Sequence, residues 1–68
     1  MFDVVQKVDG NITVVSSWGD DKKVQAESAF YERVHLLLAD KDTTNGVVKL
    51  LDDNLDVVDG CIKKIVKE

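Results

Sequence analysis

The residue types that could do chemistry are few and are scattered along the chain. His35 is the only histidine, Cys61 the only cysteine and Arg33 the only arginine. A Cys–His pair acts as a nucleophile only within hydrogen-bond reach and in an activating environment. Because the sequence does not place His35 beside Cys61, we interpret His35 as a residue on a helix flank and Cys61 as a small buried hydrophobe.

Neighbouring carboxylates are the next candidates for chemistry. They occur at Asp20/Asp21, Asp40/Asp42, Asp52/Asp53 and Asp56/Asp59. Acid–base hydrolysis needs two carboxylates in different environments across a pocket, whereas aspartates in turns bond their own backbone. The chain also lacks a twelve-residue EF-hand loop and a glycine-rich phosphate loop. We therefore predict that the protein is not an enzyme and holds no metal or cofactor.

The candidate binding site consists of Trp18, Tyr31, Arg33 and His35. Arg33 offers a bidentate fork for phosphate or carboxylate, and Trp18 precedes a predicted helix whose free N–H groups could bind an anion. An aromatic residue with an arginine is also typical of an interface hot spot. The alternative is that Trp18 and Tyr31 cover the edge of a small core while Arg33 pairs with a nearby carboxylate.

The first part of the chain predicts a β-hairpin. Residues 2–8 and 11–17 are rich in valine, isoleucine and threonine, which suit strands, and Asp9-Gly10 between them is a strong turn signal. With a two-residue turn, we expect Val4 to lie opposite Val15 and Val5 to lie opposite Val14. The sequence leaves open which face of these strands is buried.

A helix is predicted from Asp21 to about Ala39, with Asp20 as its N-cap. Its buried stripe, at spacings of four, four and three, consists of Ala26, Phe30, Val34 and Leu37. Leu36 points away from this stripe, so we predict it as a subunit contact.

The last third of the chain predicts a second hairpin. A polar loop of residues 40–46 ends in the tight-turn pair Asn45-Gly46, and strands follow at 47–51 and 57–66. Asn54 is expected in the left-handed conformation of the connecting turn, and Gly60 at a bulge or at a close approach of two backbones. A helix over residues 47–58 is the competing interpretation, because Val48, Leu51 and Leu55 also have helical spacing.

These elements predict a single α+β domain over residues 1–68, in the order β-β-α-β-β. We expect a four-stranded antiparallel sheet with one helix packed on one face. A core this small usually needs a further source of stability, and one cysteine cannot form an intrachain disulfide. We therefore predict a homo-oligomer, a dimer or higher. The other sheet face is either solvated or covered by a second subunit, and valines on both faces of several strands favour the second option.

The charge balance limits the partners. The net charge is −4, and the only basic cluster, Lys63, Lys64 and Lys67, suits the solvated side of an edge strand. We expect no duplex nucleic-acid binding, which depends on lysine and arginine at phosphates. The sequence shows no membrane-spanning run and no signal peptide, so we expect a cytoplasmic protein.

Two segments carry a resemblance. Residues 47–58, VVKLLDDNLDVV, and the AFYER sequence at 29–33 after an Asp-Gly hairpin resemble small proteins encoded by phages and prophages of Gram-positive bacteria. The resemblance covers most of the chain, but its motifs are structural and carry over no site residues. It implies a non-catalytic binding protein that sequesters or inhibits a host factor, either a defence protein or a nucleotide signal. The alternative is a structural or assembly protein, or a homo-oligomeric domain without a ligand.

Overall fold

The computed structural model of the chain describes residues 1–66. Its elements are β1 (Phe2–Val8), β2 (Asn11–Trp18), α1 (Lys23–Ala39), β3 (Asn45–Leu51) and β4 (Val57–Val66). The strands form one four-stranded antiparallel sheet, which confirms the α+β class and the β-β-α-β-β order. The competing helix over residues 47–58 is absent, because that stretch holds the end of β3, a turn and the start of β4.

The first hairpin has the predicted turn. Asp9 and Gly10 both have positive φ, 50° and 88°, as the tight primed turns of hairpins require. β1 has the predicted bounds, and β2 extends one residue further than predicted, to Trp18.

The pairing of β1 with β2 contains a bulge that the sequence did not predict. Val5 faces Val14 as expected, but Val4 faces Ser16 and not Val15, because the register shifts between Val4 and Val5. Val15 is thus the extra residue of β2. Because of the bulge, Val15 packs against the core, on the side of the sheet that carries the helix.

The start of α1 also differs from the prediction. Its N-cap is Lys22, which makes no side-chain cap, and the backbone N–H of Lys22 donates to the carbonyl of Gly19 at 2.9 Å. The prediction that Asp20 is the N-cap is wrong. Its carboxylate instead accepts a hydrogen bond from the Met1 amino group, and a charged donor competes well with a backbone amide.

The predicted helix stripe is confirmed. Ala26, Phe30 and Leu37 are buried, and Val34 packs against them half-buried. These residues hold α1 against the sheet and define which face of the sheet is covered.

Asp40 organises the loop after the helix. Its carboxylate accepts from the backbone N–H of Asp42 at 2.9 Å and from the Thr43 hydroxyl at 3.1 Å. Thr43 can therefore be buried without losing the hydrogen bond of its hydroxyl.

The tight turn predicted at Asn45-Gly46 is wrong, because both residues belong to β3. The carbonyl of Asn45 accepts from the backbone N–H of Asp9 at 3.0 Å, so this segment joins the sheet. A Cβ at Gly46 would lie 3.0 Å from the carbonyl oxygen of Lys7. The glycine is thus needed for close backbone approach rather than for a turn.

The turn between β3 and β4 is built around Asp52. Its carboxylate accepts from the backbone N–H groups of Asn54 at 2.8 Å and Asp56 at 3.1 Å. The left-handed conformation falls on Leu55, with φ of 64°, and not on Asn54 as predicted. The hydrogen bond that the backbone N–H of Asn54 donates to Asp52 fixes the Asn54 amide, and the backbone reverses one residue later.

The bulge predicted at Gly60 is confirmed. Asp59 and Gly60 have φ of 42° and 78°, and the pairing of β3 with β4 shifts between Lys49 and Leu51. Of the lysines predicted on the solvated side of this strand, Lys63 and Lys64 are exposed, and Lys67 lies outside the described residues.

The strand order is β2-β1-β3-β4, so β1 and β3 are central and β2 and β4 are the edges. The helix α1 packs on one side of this sheet. The buried core between them consists of Val4, Ala26, Phe30, Leu37, Val48, Leu50, Val58, Cys61 and Ile65.

The opposite side, here called the open face, is not covered by any described residue. Side chains alternate along strands and paired residues share a face, which assigns its members from the register. Its apolar members are Val5, Ile12, Val14, Val47, Leu51, Val57, Ile62 and Val66. Its charged members are Asp3, Lys7, Lys49 and Lys64.

Candidate functional site

A cleft between α1 and the edge strand β2 brings part of the predicted site together. Its volume is about 310 Å³, and its lining residues are Val15, Ser16, Trp18, Ala29, Glu32, Arg33 and Leu36. Trp18 and Arg33 come from different elements, so folding supplies the proximity that the predicted site requires.

Arg33 is half-buried in this cleft. Its Nε is sealed from solvent without a hydrogen-bond partner in residues 1–66, and no carboxylate described there forms an ion pair with it. The alternative in which Arg33 pairs with a nearby carboxylate of the chain is therefore not supported within these residues. Because the Nε is closed to solvent, an acceptor from another molecule would have to bind at the Nη groups of the guanidinium.

Trp18 is fixed in the cleft wall. Its indole Nε1 donates to the Ser16 hydroxyl at 3.0 Å, and its ring packs against the core while staying partly exposed. Glu32 lies on the helix side of the same cleft. The cleft thus presents an apolar wall, a positive donor and a negative acceptor to one ligand.

Tyr31 and His35 do not join this cleft. They lie one helical turn apart on a flank different from that of Arg33, because residues two positions apart point to opposite sides of a helix. Tyr31 is 61% exposed and packs edge-on against Phe30, with 5.1 Å between the ring centroids. His35 is exposed. The predicted cluster of four is therefore reduced to Trp18 and Arg33.

Leu36 lines the cleft and is about half exposed, so it can touch a ligand or a subunit there. Sequence reasoning missed Val15 and Glu32 as lining residues. Helical spacing could have found Glu32, since Ala29, Glu32 and Leu36 share one flank of α1. The inward position of Val15 follows from the bulge, for which the sequence has no signal.

Cys61 has the environment of a structural residue. It is buried in the core, and burial raises the pKa of its thiol, with the charges of Glu27 and Asp59 adding to the rise. A thiol with a raised pKa is a poor nucleophile at neutral pH. Since His35 is exposed on the outer side of α1, the two residues do not share a cleft.

Three aspartates, Asp20, Asp53 and Asp59, bind cationic groups of the chain itself. Asp20 and Asp53 both accept from the Met1 amino group, and these hydrogen bonds raise the pKa of that group. Asp59 accepts from Lys23 Nζ at 2.9 Å, which raises the pKa of the lysine.

The part of the chain that the structure describes has no group of three or more His, Cys, Asp or Glu side chains able to hold a metal ion. Within residues 1–66, no helix is both long and apolar enough to cross a membrane.

A second concavity lies at one end of the open face. Its volume is about 340 Å³, and its lining includes Lys7, Lys64 and Val47 from three adjacent strands. Sequence reasoning did not bring Lys7 together with Lys64, because the two lysines lie far apart in the chain and come close only through the strand order.

Comparisons with protein-family models, curated proteins and solved structures find no match for this chain.

Proposed function

We propose that the chain is a non-catalytic binding protein of the phage or prophage type, which sequesters or inhibits a host factor through the cleft between α1 and β2. The observation that carries the proposal is Arg33, the only arginine, beside Trp18 and without an ion pair in residues 1–66. A half-buried guanidinium gains most when a partner supplies a carboxylate or phosphate in bidentate geometry.

A protein target fits the cleft better than a free nucleotide signal. Glu32 lines the same cleft and would repel a multiply charged phosphate, whereas it can accept from a backbone or side-chain donor of a protein. Trp18 and Leu36 supply apolar contact beside the charges, which is the composition of an interface hot spot. Arg33 would then take an acidic side chain of the target.

Affinity capture from bacterial lysate tests this proposal, with the wild-type chain, Arg33→Gln and a matched control, Lys41→Gln. Lys41 is exposed in the loop after α1 and does not line the cleft, so its variant loses the same charge elsewhere. We expect the wild type and Lys41→Gln to retain one host protein stoichiometrically, and Arg33→Gln to lose at least about tenfold in affinity. Equal capture by all three chains would refute the role of the cleft.

Trp18 provides a second readout because it is the only tryptophan of the chain. Titration of mono- and cyclic dinucleotides should leave both its fluorescence and the melting temperature unchanged. A nucleotide that stabilises the wild type but not Arg33→Gln would instead identify a nucleotide signal as the ligand.

A further inference from the structure

The open face carries a cluster of lysines that the fold assembles around one apolar residue. Lys7 of β1 and Lys64 of β4 both pair with Val47 of β3, and Lys49 lies two residues from Val47 on the same strand. The three lysines therefore lie on three adjacent strands and one face of the sheet. They are a third of the nine basic residues in a chain of net charge −4.

These lysines have no charge partner in the described part of the chain. The only ion pairs within residues 1–66 involve the Met1 amino group and Lys23. Asp3 shares the open face, but it lies at the opposite end, where the Ser17 hydroxyl donates to it at 2.7 Å. Asp9 lines the same concavity as Lys7 and Lys64 but forms no ion pair with either within residues 1–66, so the three lysines leave an excess of positive charge here for another molecule.

Apolar side chains surround this positive site. Ile12, Val14 and Ile62 are 70%, 58% and 42% exposed, and Val5 and Leu51 lie half-buried between them. A phosphate or another small anion would neutralise the lysines but leave this apolar surface in water. An occupant that satisfies the whole face must bring both carboxylates and an apolar surface.

We propose that the open face binds an acidic amphipathic helix of a partner protein, with its apolar stripe over the row of Val14, Val5 and Ile62. Its carboxylates would lie at Lys7 and Lys64 in the neighbouring row and at Lys49, which stands in the apolar row between Val5 and Ile62. This surface lies on the other side of the sheet from the Trp18–Arg33 cleft, so the proposal is independent of the one made above.

The dimensions of the sheet fit such a helix. Four strands at a spacing of about 4.8 Å make a face roughly 15–19 Å wide, which three to four helical turns would cross. The protein already shows this arrangement on its covered side, where the 17 residues of α1 span the same four strands with an apolar stripe. A partner helix would complete a helix–sheet–helix sandwich.

Two other occupants fit the charges less well. A second copy of this chain would bring three more lysines to the interface. Val14, Val5, Lys49 and Ile62 form one row across the four strands. A two-fold axis along this row would place Lys49 opposite the Lys49 of the second copy. An anionic membrane would attract the lysines, but the open face carries no aromatic residue of the kind that anchors proteins at membrane interfaces.

A synthetic helix serves as the probe. It matches α1 in length, 17 residues, with leucines at spacings of four and three, glutamates on both flanks and alanine or glutamine elsewhere. Binding of the fluorescently labelled peptide is measured by anisotropy. The wild-type chain should bind it, and binding should weaken as salt is added. A peptide with lysine in place of every glutamate should bind at least about tenfold more weakly.

Matched triple variants test the lysines. The Lys7→Ser/Lys49→Ser/Lys64→Ser variant should lose about tenfold or more in affinity. The Lys22→Ser/Lys41→Ser/Lys63→Ser variant loses the same charge at lysines outside the open face, and should bind within about twofold of the wild type. Circular dichroism and melting should confirm that both variants are folded.

Several results would overturn the proposal. Equal loss in both triple variants would show that only net charge matters, and equal binding of the lysine peptide would exclude recognition of carboxylates. Co-sedimentation with phosphatidylcholine–phosphatidylserine vesicles that depends on the three lysines would identify a membrane surface. A dimer in light scattering that Ile62→Ser dissociates would identify a second copy as the occupant.

Discussion

The covered side and the open face of this sheet are built from the same four strands and similar residue types, but only one is packed. On β4, Ile65 is 1% exposed under the helix, whereas Ile62 is 42% exposed on the other side. Valine and isoleucine occur on both sides, so composition does not distinguish them. The two sides differ because the single helix α1 packs on one of them, and one helix can cover only one face of the sheet.

The largest effect expected from this difference is in stability, and two substitutions on one strand measure it. Ile65→Ala should lower the free energy of unfolding by about 2–5 kcal/mol, because it leaves a cavity in a small core. Ile62→Ala removes the same atoms from a solvated site and should cost below about 1 kcal/mol. Urea denaturation of the isolated chain compares them. Equal costs would mean that a second subunit already covers the open face.

The reactivity of a thiol at positions 61 and 62 gives a second comparison of the covered side with the open face. Cys61 faces the core, and the next residue faces the open side. Reaction of Cys61 with a disulfide reagent should be about a hundredfold slower than that of Ile62→Cys made in a Cys61→Ala chain. Similar rates at both positions would contradict the burial of Cys61.

The same thiol should make stability depend on pH. Burial raises the pKa of Cys61, so the folded state holds the thiol proton more tightly than the unfolded state does. The contribution of this thiol to the free energy of unfolding is complete below its unfolded pKa of about 8.5. It is lost as pH rises through the pKa that the thiol has in the folded state. The urea midpoint of the wild type should fall more steeply above pH 9 than that of Cys61→Ala.

The smallest effect concerns a polar group on the covered side. Gln6 pairs with Val48 there, and its Oε1 is buried without a hydrogen-bond partner in residues 1–66. Gln6→Met keeps the volume and removes the unsatisfied oxygen, so it should stabilise the chain by up to about 1 kcal/mol. Gln25→Met, on the exposed side of α1, should change stability by less than about 0.5 kcal/mol. A clear loss in Gln6→Met would reveal a partner for this amide.

Local signals in the sequence were sufficient for the elements and their order. Asp9-Gly10 marks the first turn, β-branched residues mark the strands, and Gly60 marks a bulge, since each depends on the backbone preference of one or two residues. The bulge at Val15 and the pairing of β1 with β3 depend on residues distant in the chain. No short pattern could predict them.

The errors at termini and turns have one physical cause, which is competition for a side chain or amide. Asp20 binds the Met1 amino group instead of capping the helix, and the Asn45 carbonyl accepts from the backbone N–H of Asp9 within the sheet instead of belonging to a turn. At the site, Trp18 and Arg33 line the same cleft, but the helical position of Tyr31 places it on another flank of the helix. Homo-oligomer formation and the phage-type role stay predictions.

The bulges described in β2 and β4 lie on the two outermost strands of the sheet. The bulge in β2 leaves at most four regular residues on either side, and the bulge in β4 together with the exposed Lys63 and Lys64 discourages an added strand, so both edges disfavour the stacking of chains into a cross-β fibril. A protein with an uncovered apolar surface is thereby protected against the most damaging form of self-association. The molecule can keep that surface accessible at concentrations where a flat-edged sheet would begin to aggregate.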